Sequence, residues 1–196
     1  MSIVQKQDTV KDKIIVAADE FFSRFGFYKT TMDEIARKIH KAKGVLYYYF
    51  RSKEELYTEV VRRELQQVKD ELIKAGKAGD DPVTTLENYI KIRFERLSHA
   101  VNYHETLQAD FREQYGFVES VRKDFENFER NQLKKILEEG KQQGYFQLSD
   151  IDLTLDVVLI MLKSVEIPLY LQNKYAEYKN IIDEMISLIF NGLKKN

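Results

Sequence analysis

The chain has 196 residues, 43% hydrophobic and 32% charged, which excludes a disordered protein and allows one or two folded domains. It has no cysteine, which excludes disulfides, thiolate metal sites and a cysteine nucleophile. Residues 1–53 hold 11 Lys and Arg against 6 Asp and Glu, a net charge of +5, whereas residues 54–196 have a net charge of −6. A basic head on an acidic body indicates that the head binds a polyanion, unless the charges cluster by chance.

Only two prolines and eight glycines interrupt the chain, which favours long helices and predicts an all-α protein. The longest dense apolar run, Val157–Leu162, is too short to span a bilayer, and no apolar leader opens the sequence. We therefore expect a cytoplasmic protein without a membrane partner.

Three short helices are predicted for the head. Thr9 is the expected N-cap of the first helix and Gly26 its stop, with one apolar stripe between them formed by Ile14, Ala18, Phe21, Phe22 and Phe25. Thr31 and Glu34 form a capping box that opens the second helix, which ends near His40.

The third predicted helix begins near Ala42 and has two different faces. Leu46 and Phe50 lie on the face that packs onto the first two helices. The opposite face is free to enter a groove of DNA and carries Lys41, Gly44, Val45 and Tyr48. A capped helix, a tight turn and a helix bearing cations and aromatics are typical of a helix-turn-helix DNA reader.

The body is predicted to contain longer helices. Ser52 and Glu55 form a second capping box at the start of a helix that extends to about Lys74, and Pro82 is suited to the first turn of the next. The expected helices are residues 53–74, a helix from Pro82 that includes Val101, His104–Tyr115, Val118–Gln143, one from Ser149 or Asp150 to about Gln172 that Pro168 bends or breaks, and Tyr175–Leu193.

The last two predicted helices have more apolar surface than one core needs. Val157–Leu162 is apolar all round. The final helix has two apolar sides, formed by Ile182, Met185 and Ile189 and by Ile186, Phe190 and Leu193. Such surplus surface predicts a homodimer through these two helices, although burial in a monomer core would explain it too.

The segments FFSRFGF, TTMDEIA and KGVLYYYF-RSKEEL resemble the TetR family of transcriptional repressors over Val10–Val60. The resemblance implies a three-helix DNA-binding domain at 1–51 and a helical ligand-binding and dimerisation domain at 52–196. It implies a ligand-responsive regulator, most simply a repressor, that binds a double-stranded operator of pseudo-palindromic sequence as a homodimer. Carried over residue by residue, it places DNA contacts at Thr30, Thr31, Lys43, Gly44, Val45, Tyr47, Tyr48 and Lys53.

The turn departs from the family pattern. The small residue, apolar residue and Ser N-cap that are common there are replaced by His40, Lys41 and Ala42. Ala is a poor helix cap, whereas His tolerates the turn conformation and Lys41 adds a cation to the DNA-facing side.

The family layout also implies that helices after the Gly76–Pro82 break enclose a small organic effector. The aromatic and polar residues there suit an apolar or amphipathic molecule with one or two polar anchors. The candidate residues are Tyr89, Arg93, Phe94, His99, Tyr103, Phe111, Tyr115, Phe125 and Phe128. The same aromatics would also fill an ordinary core.

Two other classes of function remain open. A metal-dependent enzyme would have to use His99 and His104, whose spacing of five residues does not fit a helical metal pair. No catalytic motif, metal site or cofactor site is predicted, so we expect no enzyme. A helical interaction or small-molecule-binding protein without DNA binding would explain the body but not the basic, aromatic head.

Overall fold

The computed structural model describes residues 3–108, 116–171 and 175–193, and these ranges contain helices and no β-strand. The predicted all-α class, with an N-terminal helix-turn-helix and a C-terminal helical domain, is confirmed. The helices are α1 Ile3–Lys29, α2 Met32–Lys38, α3 Lys43–Tyr49, α4 Lys53–Ala75, α5 Pro82–Leu97, α6 Val101–Glu105, α7 Glu119–Gln142, α8 Ile151–Ser164 and α9 Tyr175–Leu193. A 3₁₀ turn, Gly116–Val118, precedes α7, and a π-helical turn, Ile167–Leu171, follows α8.

The chain divides into two compact units. The first contains residues 1–64 and 101–121, and the second contains residues 65–100 and 122–196. The first unit therefore extends beyond residue 51, where we place the end of the DNA-binding domain. It includes the start of α4 and all of α6, so residues far apart in sequence support the same head.

An aromatic cluster forms the centre of the first unit. The ring of Tyr57 meets Phe22 edge-on at 4.9 Å and Phe27 at 5.0 Å between centroids. Leu46 and Phe50 of α3 are buried, as predicted from their face of the helix. Burial of these rings from α1, α3 and α4 fixes the helices that carry the turn.

The second unit buries the apolar faces of α5, α7, α8 and α9. Its start is set by local chemistry: Asp81 is the N-cap of α5 and accepts the amides of Val83 and Thr84, and Pro82 follows in the first turn as predicted. Buried residues of this core include Leu86, Ile90, Phe94, Phe125, Leu133, Leu137, Leu155 and Leu162.

Several predicted helix boundaries are wrong. Helix α1 begins at Ile3 rather than at a Thr9 cap, and α5 ends at Leu97 instead of including Val101. The start predicted at His104 is wrong, because α6 spans Val101–Glu105, whereas residues 109–115 of the expected helix His104–Tyr115 lie outside the described residues. Helix α8 ends at Ser164 rather than near Gln172, but the predicted bend or break at Pro168 is confirmed, because Pro168 lies in the π-helical turn.

Two predictions about exposure also fail. Phe25, placed on the inward stripe of α1, is 45% exposed. The two apolar sides of α9 expected at a dimer interface are both buried within the chain. What α9 exposes instead is Ile181 and Leu188.

Candidate nucleic-acid interface

The turn between α2 and α3 depends on one residue in an unusual backbone conformation. His40 has a φ of 54°, the left-handed region that closes the turn. The amide of His40 donates to Arg37 O at 3.1 Å and that of Lys41 donates to Ala36 O at 3.0 Å. Ala42 is the residue before α3 and forms no side-chain cap, because its methyl group cannot accept a hydrogen bond. The amides at the start of α3 therefore have no capping side chain within the head.

Helix α2 is anchored by the predicted capping box. The amide of Glu34 donates to the Thr31 hydroxyl, and the Thr31 amide donates to the Glu34 carboxylate at 2.9 Å. The Thr31 hydroxyl also donates to Glu34 Oε2 at 2.6 Å. These bonds, led by the side-chain one, lower the pKa of Glu34. The start of α2 is therefore rigid while Thr31 remains exposed.

The outer face of α3 is open to solvent. Tyr48 is 73% exposed. Tyr47, Lys41 and Gly44 are also exposed, and Val45 is half-buried. These residues share a surface that no described part of the first unit covers.

Gly44 is not required by packing within the chain. A Cβ atom added there would meet no atom within 4 Å. The space beside this residue is thus open for close approach of another molecule, the role that the family resemblance implies.

Lys43 is held in place by neighbours on its own surface. Its ammonium donates to Asp33 at 2.6 Å and lies 5.9 Å from the Tyr47 ring centroid. The hydrogen bond to Asp33 raises the pKa of Lys43. Because both charged groups are exposed, the pair is weak and an incoming phosphate can replace the carboxylate.

Thr30 and Lys53 have partners inside the head. The Thr30 side chain is buried, and its hydroxyl donates to Gly26 O at 2.9 Å. The Lys53 ammonium donates to Phe27 O at 2.7 Å and to Thr30 O at 3.1 Å, and it lies 4.2 Å from the Phe27 ring centroid. Burial lowers the pKa of Lys53, against the effect of Glu54 and Glu105. Both residues therefore fasten the end of α1, and their phosphate contacts stay a prediction.

Sequence reasoning missed the hydrogen bonds through which Glu105 of α6 holds the end of α1 and the start of α4. Glu105 of α6 accepts the Phe27 amide at 3.0 Å and the Tyr57 hydroxyl at 2.9 Å. The chain can turn there because Gly26 has a φ of 80°, and a Cβ on it would lie 3.0 Å from Glu105 Oε1. No local sequence pattern reveals the hydrogen bond between Phe27 and Glu105, since these residues are 78 positions apart.

Glu64 of α4 holds the other end of α6. Its carboxylate accepts the amides of Asn102 at 3.1 Å and Tyr103 at 2.8 Å, as an N-terminal cap does. The Asn102 amide group also donates to Asp19 at 2.7 Å. Burial raises the pKa of Glu64 to about 7, and the two backbone hydrogen bonds partly oppose this shift.

The structure places the predicted effector residues in both units, and their shared role stays a prediction. Tyr89, Arg93, Phe94 and Phe125 are buried in the second unit, where Phe128 is half-buried and His99 is exposed. Tyr103 belongs to the first unit, and Phe111 and Tyr115 lie outside the described residues. Among residues the structure describes, no cluster suits a metal ion.

Arg93 is the centre of a buried charged cluster. Its guanidinium donates to Glu129, with one contact at 3.2 Å, and to Glu166. Burial alone would lower the pKa of Arg93, but Glu129 and Glu166 hold it well above its ordinary value. Burial raises the pKa of Glu129, although Arg93 opposes the shift.

An apolar groove lies on α8 and α9. It has a volume of about 410 Å³ and is lined by residues that include Leu153, Val157, Met161, Leu188 and Leu193. Leu153, Val157 and Leu188 are each about half exposed or more. None of the described helices is long and apolar enough to cross a bilayer.

Known proteins are similar to this chain, some over the head and others over most of its length. Residues 14–60 match the profile of bacterial regulatory proteins, tetR family. The HTH-type transcriptional regulator QacR of Staphylococcus aureus is 26% identical, with 95% of this chain and 99% of that protein covered. The HTH-type transcriptional regulator YhgD of Bacillus subtilis is 29% identical over 76% of this chain and 78% of its own. A transcriptional regulator from Cytophaga hutchinsonii has the same fold, with a TM-score of 0.76, 23% identity, and 93% and 97% of the two chains covered.

Proposed function

Since the chain belongs to the tetR family of bacterial regulatory proteins, we propose that it is a repressor that binds a pseudo-palindromic operator and is released by a small organic effector. The observation that carries this proposal is the outer face of α3. A capped α2 and a buried inner face hold α3 rigidly, while Lys41, Gly44 and Tyr48 remain open to solvent. The proposal includes a cytoplasmic location, which is expected of a protein that binds a bacterial operator.

Each predicted DNA contact has a distinct role in this proposal. Gly44, Val45 and Tyr48 face the bases, where Val45 suits a thymine methyl group. Lys41, Lys43, Tyr47 and Thr31 contact phosphates, and the N-terminal amides of α3, which no side chain caps, can donate to a phosphate as well. Thr30 and Lys53 fix the approach to α2 through their hydrogen bonds within the head, and the Lys53 ammonium also contacts a phosphate.

The operator is bound by a homodimer formed through α8 and α9. Support comes from the aliphatic side chains that these helices leave exposed, namely Leu153, Val157, Ile160, Ile181 and Leu188. Aliphatic groups in a groove this size favour burial against a second copy. A two-fold dimer presents two copies of α3 to half-sites about 34 Å apart, which predicts the palindrome.

The effector is an apolar or amphipathic molecule bound in the second unit. Tyr89, Arg93, Phe94 and Phe125 support this site because they combine buried aromatic surface with polar groups. Helix α4 continues from Lys53 to Ala75, so residues of both units belong to one helix. An effector shifts DNA binding only by its different affinities for the two states, a coupling of about 1–3 kcal/mol.

Selection of binding sites from a random duplex pool tests the regulator assignment. We expect enriched sequences with two inverted half-sites whose centres are about one helical turn, or a multiple of it, apart. A variant with Tyr48 and Lys43 both replaced by alanine is the control and should enrich no sequence. Failure of the natural protein to enrich any sequence at low salt would favour an interaction protein that does not bind DNA.

A further inference from the structure

Two polar atoms in the second unit are buried without a hydrogen-bond partner. They are Nη1 of Arg93 and the hydroxyl oxygen of Tyr89, and no described residue bonds to either. Both side chains are completely inaccessible to solvent. A buried polar group without a partner costs about 1–3 kcal/mol, so both atoms would be stabilised by a bound molecule that offers a hydrogen-bond acceptor.

The two atoms belong to side chains of the same helix, α5. Tyr89 and Arg93 are four residues apart on α5, which places their side chains on the same side of that helix. Glu129 on α7 and Glu166 after α8 bind the other nitrogens of Arg93. Phe125 precedes Glu129 by one helical turn and is also buried, so aromatic surface continues from the charged cluster.

The hydrogen-bond chemistry defines the missing group. A guanidinium nitrogen only donates, so the partner of Arg93 must be an acceptor. A Tyr hydroxyl is able to donate to that same acceptor. One oxygen with two lone pairs satisfies both groups at once.

The charge of the cluster defines the group further. Arg93 already binds two carboxylates, and these three side chains by themselves carry a formal net charge of −1 when all are ionised. A third carboxylate or a phosphate would add uncompensated negative charge in a region of low dielectric. A cationic group does not fit either, because Nη1 of Arg93 is only a donor and offers it no acceptor. The partner that fits is a neutral oxygen.

We propose that Arg93 and Tyr89 form the polar end of the effector site and bind an uncharged carbonyl oxygen, such as that of an ester, on an otherwise apolar effector. This inference rests on the proposed function, which supplies the effector. The two glutamates hold the guanidinium in position and leave Nη1 as the donor that the effector uses. The effector class is therefore neutral at its polar end rather than acidic or cationic.

Three probes with one straight chain and different polar ends test the inference. They are methyl decanoate, decanoate and decyltrimethylammonium, measured by calorimetry on the full chain after unfolding and refolding to remove bound molecules. We expect methyl decanoate to bind and the other two to bind at least about tenfold more weakly. Tyr89→Phe should weaken methyl decanoate about fivefold to tenfold, the effect of one hydrogen bond.

A second measurement separates a binding site from a structural one. Tyr89→Phe should leave the melting temperature of the ligand-free protein unchanged or raise it, because the hydroxyl has no described partner to lose. Tyr170→Phe is the matched control in the same unit, since its hydroxyl bonds to Phe94 O at 3.3 Å, and it should lower the melting temperature. An equal loss in both variants would show that water or protein satisfies Tyr89, and would overturn the proposal.

Two further results would also overturn it. These are an absence of methyl decanoate binding at its solubility limit, or tighter binding of decanoate or of the ammonium probe. Operator binding is measured on the same preparations. Intact, salt-dependent operator binding with a negative probe result would reject this site alone, whereas loss of operator binding by the natural protein would reject the proposed function.

Discussion

The two units use charge in opposite ways. The first unit keeps Lys41 and Lys43 exposed on one surface, where water and salt reach them. The second unit buries Arg93 completely between two glutamates. Exposed cations act over distance on any polyanion and are screened by salt. A buried cluster acts only on a group that fits against it, so the same kind of charge serves general attraction in one unit and selection in the other.

The apolar surfaces differ in the same way. On the outer face of α3, the exposed rings belong to Tyr47 and Tyr48, which have a polar end suited to a wet DNA interface. In the second unit, the exposed groups of α8 and α9 are aliphatic, such as Val157 and Leu188. Aliphatic surface without polar ends is suited to dry burial against protein.

The largest expected effect comes from disrupting the aliphatic face of α9. Leu188→Glu places a charge on a surface that we propose is buried in the dimer, so the protein should become monomeric. Loss of two-site binding should weaken operator affinity by about 100-fold or more. Light scattering and fluorescence anisotropy measure the two effects. Ile73→Glu, at an exposed isoleucine on α4, is the control and should change neither.

Next in size is the loss of a tyrosine from the face of α3. Tyr48→Ala should weaken operator affinity about 10–100-fold and reduce the preference for operator over random duplex, since a base contact contributes about 1–3 kcal/mol. Tyr145→Ala removes a tyrosine that is 44% exposed in the second unit and should have no effect. Equal losses in both variants would contradict a specific contact by Tyr48.

A pH experiment tests the support beneath the head. Burial raises the Glu64 pKa from 4.5 to about 7, so the folded state binds this proton more tightly than the unfolded state. The resulting stabilisation is complete below about pH 4.5 and is lost as pH rises to about 7. Since the residue is half-buried, we expect a loss of about 2 kcal/mol.

The variant Glu64→Gln isolates this contribution because it cannot titrate. The difference in free energy of unfolding between the natural protein and the variant, measured with urea, should fall between about pH 5 and about pH 8. A difference that is constant across this range would mean that Glu64 has an ordinary pKa.

The smallest effect is expected at Lys53. Lys53→Ala removes hydrogen bonds to Phe27 O and Thr30 O, at a cost of about 1 kcal/mol for a group partly screened by water. It should also weaken all DNA sequences alike and reduce the salt slope by about 1 per head. Lys134→Ala, which breaks an exposed pair with Asp152, controls for loss of a surface lysine. Unchanged stability with lower DNA affinity would assign Lys53 to phosphate contact alone.

The parts of the fold that were predictable from the sequence depend on neighbouring residues. The Thr31 capping box, the non-helical break within α1 at Gly26 and the Pro82 start are each decided within one helical turn. At Ser52 the prediction is close but inexact. The Glu55 amide donates to Ser52 Oγ at 3.1 Å, but the Glu55 carboxylate accepts from the amide of Arg51.

The parts that were not predictable depend on contacts between distant residues. Which side of α9 is buried is decided by the helices around it, so both predicted sides are covered and Leu188 remains exposed. The clusters around Glu105 and Arg93 join residues at least 36 positions apart, and hydrophobic periodicity carries no signal for them. Arg93 could be predicted as a polar residue among aromatics, but its two carboxylate partners could not.

The salt dependence of operator binding tests the central claim most directly. If the exposed cations of two heads contact phosphates, the logarithm of the association constant should fall linearly with the logarithm of salt concentration, with a slope of about −4 to −6. Tyr48→Ala should bind more weakly with nearly the same slope, because it removes a base contact and no charge. A slope near zero for the natural protein, or no binding to duplex at low salt, would contradict the assignment of the α3 surface to DNA.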